Sequence, residues 1–341
     1  MSPMEGRKLQ LAGGSTYLVS LPKRWVLNAG LKAGDTLFVD TAADGTVSVR
    51  PHAAEKPAAR RKIFQEKGEE ARDHLLRKFI GAYISGFGVI EVRFPPDRGP
   101  FVRRVAREFS RLVIGPEVIE ESRNSLVIQD LSDPSELSSE KCLRRMHLTV
   151  RAMVEDAISA LKKPDGALAH DVALRDQDVD RLYWMVAKQY HLSSTVPIST
   201  DNGFDQRAIH GYQLVGKLLE RIGDHAQRIA MTHPVLAEGK ALDPKLVKEF
   251  EEAAASAVTI LDRAFNSLIS GDIDAANEAI DARADHQKLI DALSHRVSTR
   301  KGEELLALGT VVNSLGRSAS YAADIAEQAI NLAVLKDSEA K

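Results

Sequence analysis

The chain has little cysteine, few aromatic residues and no long apolar run, and each shortage removes a class of protein. A single cysteine, Cys142, among 341 residues allows neither an internal disulfide nor a cysteine metal cage. Aromatic residues make up 5% of the chain, too few for stacking platforms to be the theme of the fold. No stretch of about 18 uncharged apolar residues is present, so membrane insertion is not expected. The opening MSPMEGRKLQLAGG sets Arg7 and Lys8 beside only a few apolar residues, unlike a secretory signal. The chain is therefore expected to be cytoplasmic. Gly-rich phosphate loops, zinc-protease helices and nucleophile elbows are also missing, and the chain is read as a non-enzyme. Cys142 falls in a helical pattern and is expected as a buried structural thiol.

What the sequence does have is charge, unevenly laid out. The formal net charge is only -2, but residues 1–112 hold 20 Lys and Arg against 12 Asp and Glu, and the rest holds 26 against 36. A basic front and an acidic back suit different partners, a polyanion and a cation respectively.

RKLQLAGGSTYLVSLP alternates and breaks at Gly13 and Gly14, then Pro22 opens a short amphipathic helix, KRWVLNAG, closed by Gly30. After the turn LKAGD, the runs TLFVDTA and TVSVRP read as a hairpin across Asp44 and Gly45. About fifty residues bury too little surface to stand alone, so a second copy should complete this unit. Residues 52–62 have the composition of a linker or a frayed helix start. Next come a helix from Gln65 to Ser85, a strand FGVIEVRF, a helix FVRRVAREFSRLV, and a hairpin of EVIEES and LVIQDL joined at Arg123 and Asn124. No catalytic pattern lies in this α/β stretch, which reads as a spacer or a dimerisation platform.

From Leu137 the pattern is helical, with two successive triplets of helices. The first triplet has stops near Pro164 and at Pro234. LLERIGDHAQRIA, residues 218–230, aligns with SLGRSASYAADIA, residues 314–326, keeping Leu219 on Leu315, Arg221 on Arg317 and Ala226 on Ala322. A duplicated three-helix unit packs best as two bundles side by side. Gly216 and Gly223 flank the apolar stripe of the earlier segment, where a neighbouring helix can approach.

The opening GGSTYLVSLPKRWVLNAGLKAGDTLFVDTAADGTVSVRP resembles the AbrB/SpoVT swapped-hairpin family, with its strand, Pro-initiated helix, Gly-Asp turn and closing hairpin. VALRDQDVDRLYWMV followed by LLERIGDHAQRIA resembles the PhoU phosphate-transport regulators. The order of the two, with the middle stretch, is similar to the archaeal phosphate-uptake regulators that carry both. The resemblance implies a multidomain, mainly α fold. A β-rich swapped-hairpin DNA-binding domain would occupy 1–52 and a small α/β unit 63–133, with tandem three-helix bundles at 137–236 and 242–336. It also implies a homodimer that represses phosphate transport when phosphate is plentiful. Its partners would be DNA upstream of phosphate-transport genes, and the ATPase subunit of a phosphate ABC transporter or a sensor protein. The other reading is an adaptor that docks on that ATPase, with the hairpins serving only to dimerise it.

By the same resemblance, Arg7, Lys8, Lys23, Arg24 and Arg50 meet DNA. Lysines and arginines on a two-fold surface would neutralise phosphates on two half-sites, although the same charges also suit a solvated dimerisation module. Arg103, Arg104, Arg107 and Arg111 could extend the footprint or form a solvated face. The PhoU pattern of an acidic residue followed four later by Asp is met by Glu220 and Asp224, whose spacing puts both carboxylates on one helical face. Asp176 and Asp180 repeat the spacing on the preceding helix. The four are the expected ligands of a metal ion or iron cluster, against a salt-bridge ladder with Lys217, Arg221 and Arg228. Gly316 and Ser320 stand at the matching later positions, so the duplicated site should be absent or rebuilt. Asp281, Asp285 and Asp178 are expected to face solvent. His225 is offset about 100° from Asp224 around the helix and is expected to pack.

Overall fold

The computed structural model describes residues 6–41, 45–51, 59–132, 137–162, 165–195, 206–238 and 242–337. It divides into two compact units, residues 1–58 and 59–341.

The first unit holds two hairpins separated by a helix. Strands β1 (Gln10–Ala12) and β2 (Thr16–Leu18) pair antiparallel, turned by Gly13 and Gly14 at φ 62° and 80°, a region closed to most side chains. Helix α1 (Lys23–Asn28) starts behind Pro22 and ends at Gly30, again at positive φ. Strands β3 (Phe38–Thr41) and β4 (Val47–Arg50) form the other hairpin; its expected turn residue Asp44 lies outside the described residues, as does Pro164. None of the described residues here is buried. Tyr17, Val39 and Leu11 are 68%, 65% and 61% exposed, so the alternating pattern makes an apolar face without a core beneath it.

The larger unit begins with a four-stranded sheet in the order β5-β6-β8-β7. Strand β5 (Arg61–Gln65) runs parallel to β6 (Val89–Arg93), joined by α2 (Arg72–Ile84). A 3₁₀ turn leads to α3 (Gly99–Leu112), and β7 (Pro116–Glu121) and β8 (Ser125–Asp130) close an antiparallel hairpin. Both helices pack on one face of the sheet. Leu75, Phe79 and Tyr83 of α2 and Val102, Ala106 and Phe109 of α3 bury Ile90, Val92, Leu126 and Ile128. Two corrections to the sequence reading arise here. RKIFQ is a strand rather than linker or helix, because Phe64 faces this core and the segment is the outer partner of β6. The following helix starts at Arg72, not Gln65, since the intervening turn is fastened by Glu66, whose carboxylate accepts from Gly68 N, Glu70 N and Arg98.

Six long helices follow: α4 (Ser139–Lys162), α5 (Gly166–Thr195) and α6 (Gln206–Ala230), then α8 (Pro244–Ser270), α9 (Ile273–Val297) and α10 (Gly302–Asp337). Between the triplets lies a short α7 (His233–Glu238). Pro234 therefore does not end the long helix but sits in the first turn of a new one, where its missing N–H costs nothing. The α8–α9 corner shows how sequence sets the breaks. Asp243 and Asp272 cap their helices by accepting from Lys245 N and Ala275 N at 3.1 and 3.0 Å, each worth about 1 kcal/mol. Gly271 at φ 74° ends α8.

Helices pack within each triplet, and the triplets join through α6 against α10 and α4 against α8. One continuous apolar core runs through all six, so the two bundles are fused rather than merely adjacent. A half-buried polar link crosses the α4–α8 seam: His147 Nε2 lies 2.8 Å from Asp262 Oδ1, and its ring stacks on Phe265 with centroids 4.3 Å apart. Another ties the sheet to the bundle. Lys188 of α5 pairs with Asp130 at the end of β8, the side chains 5% and 7% exposed. The Lys188 ammonium also donates to Ser132 Oγ at 3.0 Å and lies over the Tyr83 ring.

Cys142 is fully buried in α4, and burial pushes its thiol up to about 12. It should be inert to a thiol-exchange reagent in native protein and react only on unfolding. Fast labelling without denaturant would contradict this packing.

Candidate functional site

The apolar stripes that build α5 and α6 leave Asp176 and Asp180 on α5 facing Glu220 and Asp224 on α6, and the fields of the four carboxylates overlap. Small residues permit the approach. A side chain on Gly223 would begin 3.4 Å from Asp176 Oδ1, and one on Gly216 would meet Leu143 and Tyr183.

Asp176 is buried, 6% exposed; burial first, then Asp224 and Glu220, push its carboxyl up to about 6. Asp180 rises to about 7 by burial, then by Asp176, Glu220 and Asp224, with Lys217 opposing. The salt-bridge alternative is realised in part. Lys217 Nζ donates to Glu220 Oε1 at 2.6 Å, and Arg221 sits 3.9 Å from the other oxygen, beyond hydrogen-bond reach. Among the described residues, Glu220 Oε2 and Asp176 Oδ1 are thus buried oxygens without a hydrogen-bond partner. Orphaned, mutually repelling carboxylate oxygens call for a proton or a hard cation. The donor set fits a hard cation in its chemistry. The side chains as placed do not yet converge: among the described residues, no three His, Cys, Asp or Glu stand together at metal-ligand geometry.

Residues 143–232 match the PhoU domain family model. The match runs from within α4 past the end of α6, and all four carboxylates lie inside it. Among solved structures, PhoU from Pseudomonas aeruginosa aligns with a TM-score of 0.51 at 21% identity, covering 58% of this chain and 96% of that one. The phosphate transport system regulatory protein PhoU from Streptococcus pneumoniae aligns at 0.50 and 17%, covering 57% and 92%. At such identities the likeness is one of fold. No curated protein matches the chain.

The later triplet, α8–α10, lacks the same cluster. A side chain on Gly316 would meet Ile290 at 3.5 Å, and Ser320 Oγ donates back to Gly316 O at 3.1 Å, so apolar packing fills the matching place. Asp281 and Asp285 are exposed, the latter held by Lys288 at 2.6 Å. An acidic pair the sequence reading missed lies one turn further along α10: burial and Glu327 push Asp324 up, with Arg283 and Arg317 opposing. Its D-x-x-E spacing stands in the sequence, but Asp324 aligns with Arg228 of α6 rather than with either carboxylate of the earlier pair. His225 packs as expected. It is 5% exposed, shares a hydrogen bond with Ser314 Oγ at 3.2 Å, and is pushed down to about 4 by burial, Arg228 and Arg317. Asp178 faces solvent beside Arg181.

In the hairpin unit, Arg7 and Lys8 precede β1, Lys23 and Arg24 occupy the first turn of α1, and Arg50 ends β4. All but the half-buried Arg50 are exposed. On α3, Arg103 donates to Glu121 at 3.1 Å and Arg107 lies 3.8 Å from the same carboxylate. Half of that basic stripe therefore serves its own sheet. No helix among the described residues is long and apolar enough to cross a membrane.

Proposed function

We propose that the chain is a phosphate-responsive regulator of phosphate uptake: a homodimer whose hairpin unit binds DNA and whose helical bundle carries the phosphate signal. The observation that carries this reading is the PhoU domain match over α4–α6, and the likeness to the phosphate transport system regulatory protein of Streptococcus pneumoniae gives it direction. The hairpin unit supports the dimer, since its exposed apolar faces would acquire a core against another copy. Arg7, Lys8, Lys23, Arg24 and Arg50 are the proposed phosphate-backbone contacts. Asp176, Asp180, Glu220 and Asp224 are proposed to hold a metal ion, which would neutralise their repulsion and fasten α5 to α6. The reading makes the chain a regulator rather than an enzyme, working beside a transporter ATPase subunit or a sensor protein.

DNA binding by the full chain over a salt series tests it. The protein should prefer its own upstream sequence to unrelated DNA, with affinity falling by about 10³-fold or more between 50 and 200 mM salt. Changing Arg7, Lys8, Lys23 and Arg24 to Ala should abolish the preference and flatten the slope. Equally negligible binding by both proteins would instead favour the transporter adaptor.

A further inference from the structure

Helices α2 and α3 cover one face of the four-stranded sheet; on the other, Glu91 and Val127 at the centre are 9% and 5% exposed, and the two edges carry the exposed side chains. Cross-strand pairing fixes which side chains it presents. Ile90 and Val92 point into the helical core, so Glu91 and Arg93 point away, as do Arg61 and Ile63 on β5. At the other edge the register places Glu117 on this open face, and a β-bulge sets both Ile119 and Glu120 opposite Val127. Ile63 is 43% and Ile119 44% exposed. The charges are segregated: Glu91 lies between Arg61 and Arg93, at 3.1 and 2.6 Å, leaving that half net positive, whereas the β7 half carries two glutamates.

We propose that this open face packs against the same face of a second copy of the chain, with β5 of one protomer over β7 of its partner. Two arrangements lay a sheet face on itself by a two-fold axis with the strands aligned. An axis running across the strands lays β5 on β5 and β7 on β7, setting acidic edge on acidic edge. An axis parallel to the strands lays β5 on β7 and keeps every residue at its own height along the strands. Following the rungs from β5 to β7, Arg61 is level with Glu117, through Val89 and Gln129, and Ile63 is level with Glu120 beside Ile119, through Glu91 and Val127. The parallel axis therefore sets arginine on glutamate and isoleucine on isoleucine in the same step. Aligned sheets pack face to face at about 10 Å in this way.

Four strands at ~4.8 Å spacing and about five residues long offer roughly 300 Å² per copy, well short of the ~800 Å² typical of a stable partner surface. This contact therefore closes within a dimer held elsewhere, and it rests on the homodimer proposed above.

Disulfide trapping in the full chain tests the arrangement. The double variant Ile63→Cys, Ile119→Cys should form a covalent dimer under mild copper–phenanthroline oxidation, and neither single variant should. Cys142 does not compete, being fully buried. A bridge within one chain is excluded because β5 and β7 are opposite edges, roughly 14 Å apart. Adding Arg61→Glu should cut the yield several-fold, and adding Glu117→Arg to that should restore it. Strong trapping of Ile63→Cys alone would put β5 on β5 and overturn the proposal. A protein that sediments as a dimer but gives no 63–119 bridge would overturn it while leaving the hairpin dimer standing; one that sediments as a monomer would sink both.

Discussion

Asp130→Asn or Lys188→Met alone should cost about 3–5 kcal/mol, whereas the two together should leave the larger unit almost as stable as the wild type. Both charges are nearly out of water, and each single change strands the other in the seam between β8 and α5. Lys188 would keep only Ser132 Oγ and the face of Tyr83, and Asp130 only the Ser132 N–H and hydroxyl. In the double variant an Asn can still accept from Ser132, and the methionine fills the volume of the lysine stem. Denaturant unfolding of the four proteins measures the coupling directly as a double-mutant cycle. Single variants that each cost less than about 1 kcal/mol would mean that water reaches the pair.

The carboxylate cluster should behave in the opposite sense: removing one of its charges should stabilise the protein. Burial and three neighbouring carboxylates raise Asp180 to about 7 in the folded state, against an ordinary value of 3.8. A carboxyl raised on folding stabilises fully below the unfolded value and loses that contribution as pH climbs through the folded one. Well below 3.8, near pH 2, the group is protonated in both states and Asp180→Asn should change nothing. Above pH 7 the wild type carries the full repulsion, and the variant should gain on the order of 2 kcal/mol. A bound hard cation supplies the same relief. Millimolar Mg²⁺ or Ca²⁺ should therefore raise the melting temperature of the wild type at pH 8, by mass action, and leave the variant little changed. A gain for Asp180→Asn that is the same at pH 4 and pH 8 would show that charge is not its cause.

The helical bundle was legible in the sequence because its signals are local and redundant. The stripe Leu246, Phe250, Ala253, Ala257, Leu261, Ala264 and Leu268 repeats at helical spacing, and Asp243, Gly271 and Asp272 mark the ends. The Glu220–Asp224 and Asp176–Asp180 spacings announced a shared face, and Gly216 and Gly223 announced where a neighbour would sit. Strand β5 was illegible because one residue, Phe64, commits it to the core while Arg61 and Lys62 read as linker. Its partner β6 comes more than twenty residues later, beyond any local pattern. The Lys188–Asp130 and His147–Asp262 links were invisible for a similar reason. Each joins helix or strand positions 58 or 115 residues apart, and nothing nearby distinguishes those residues from surface charges. Two partnerless oxygens at the cluster are likewise a property of packing, which no spacing reveals.

The coreless hairpins also bear on the order of assembly. The continuous core of the bundle is built from one chain, so the larger unit can fold at any dilution. The hairpin unit, with nothing buried among its described residues, gains shelter in the proposed dimer only by encounter, in a step whose rate depends on how many chains are present. The hairpin unit is then the last part to reach its final form. Scarce, newly made protein would exist as finished bundles with unfinished hairpins, and under the proposed DNA-binding role the amount of protein in the cell would itself set how much of it is competent to bind.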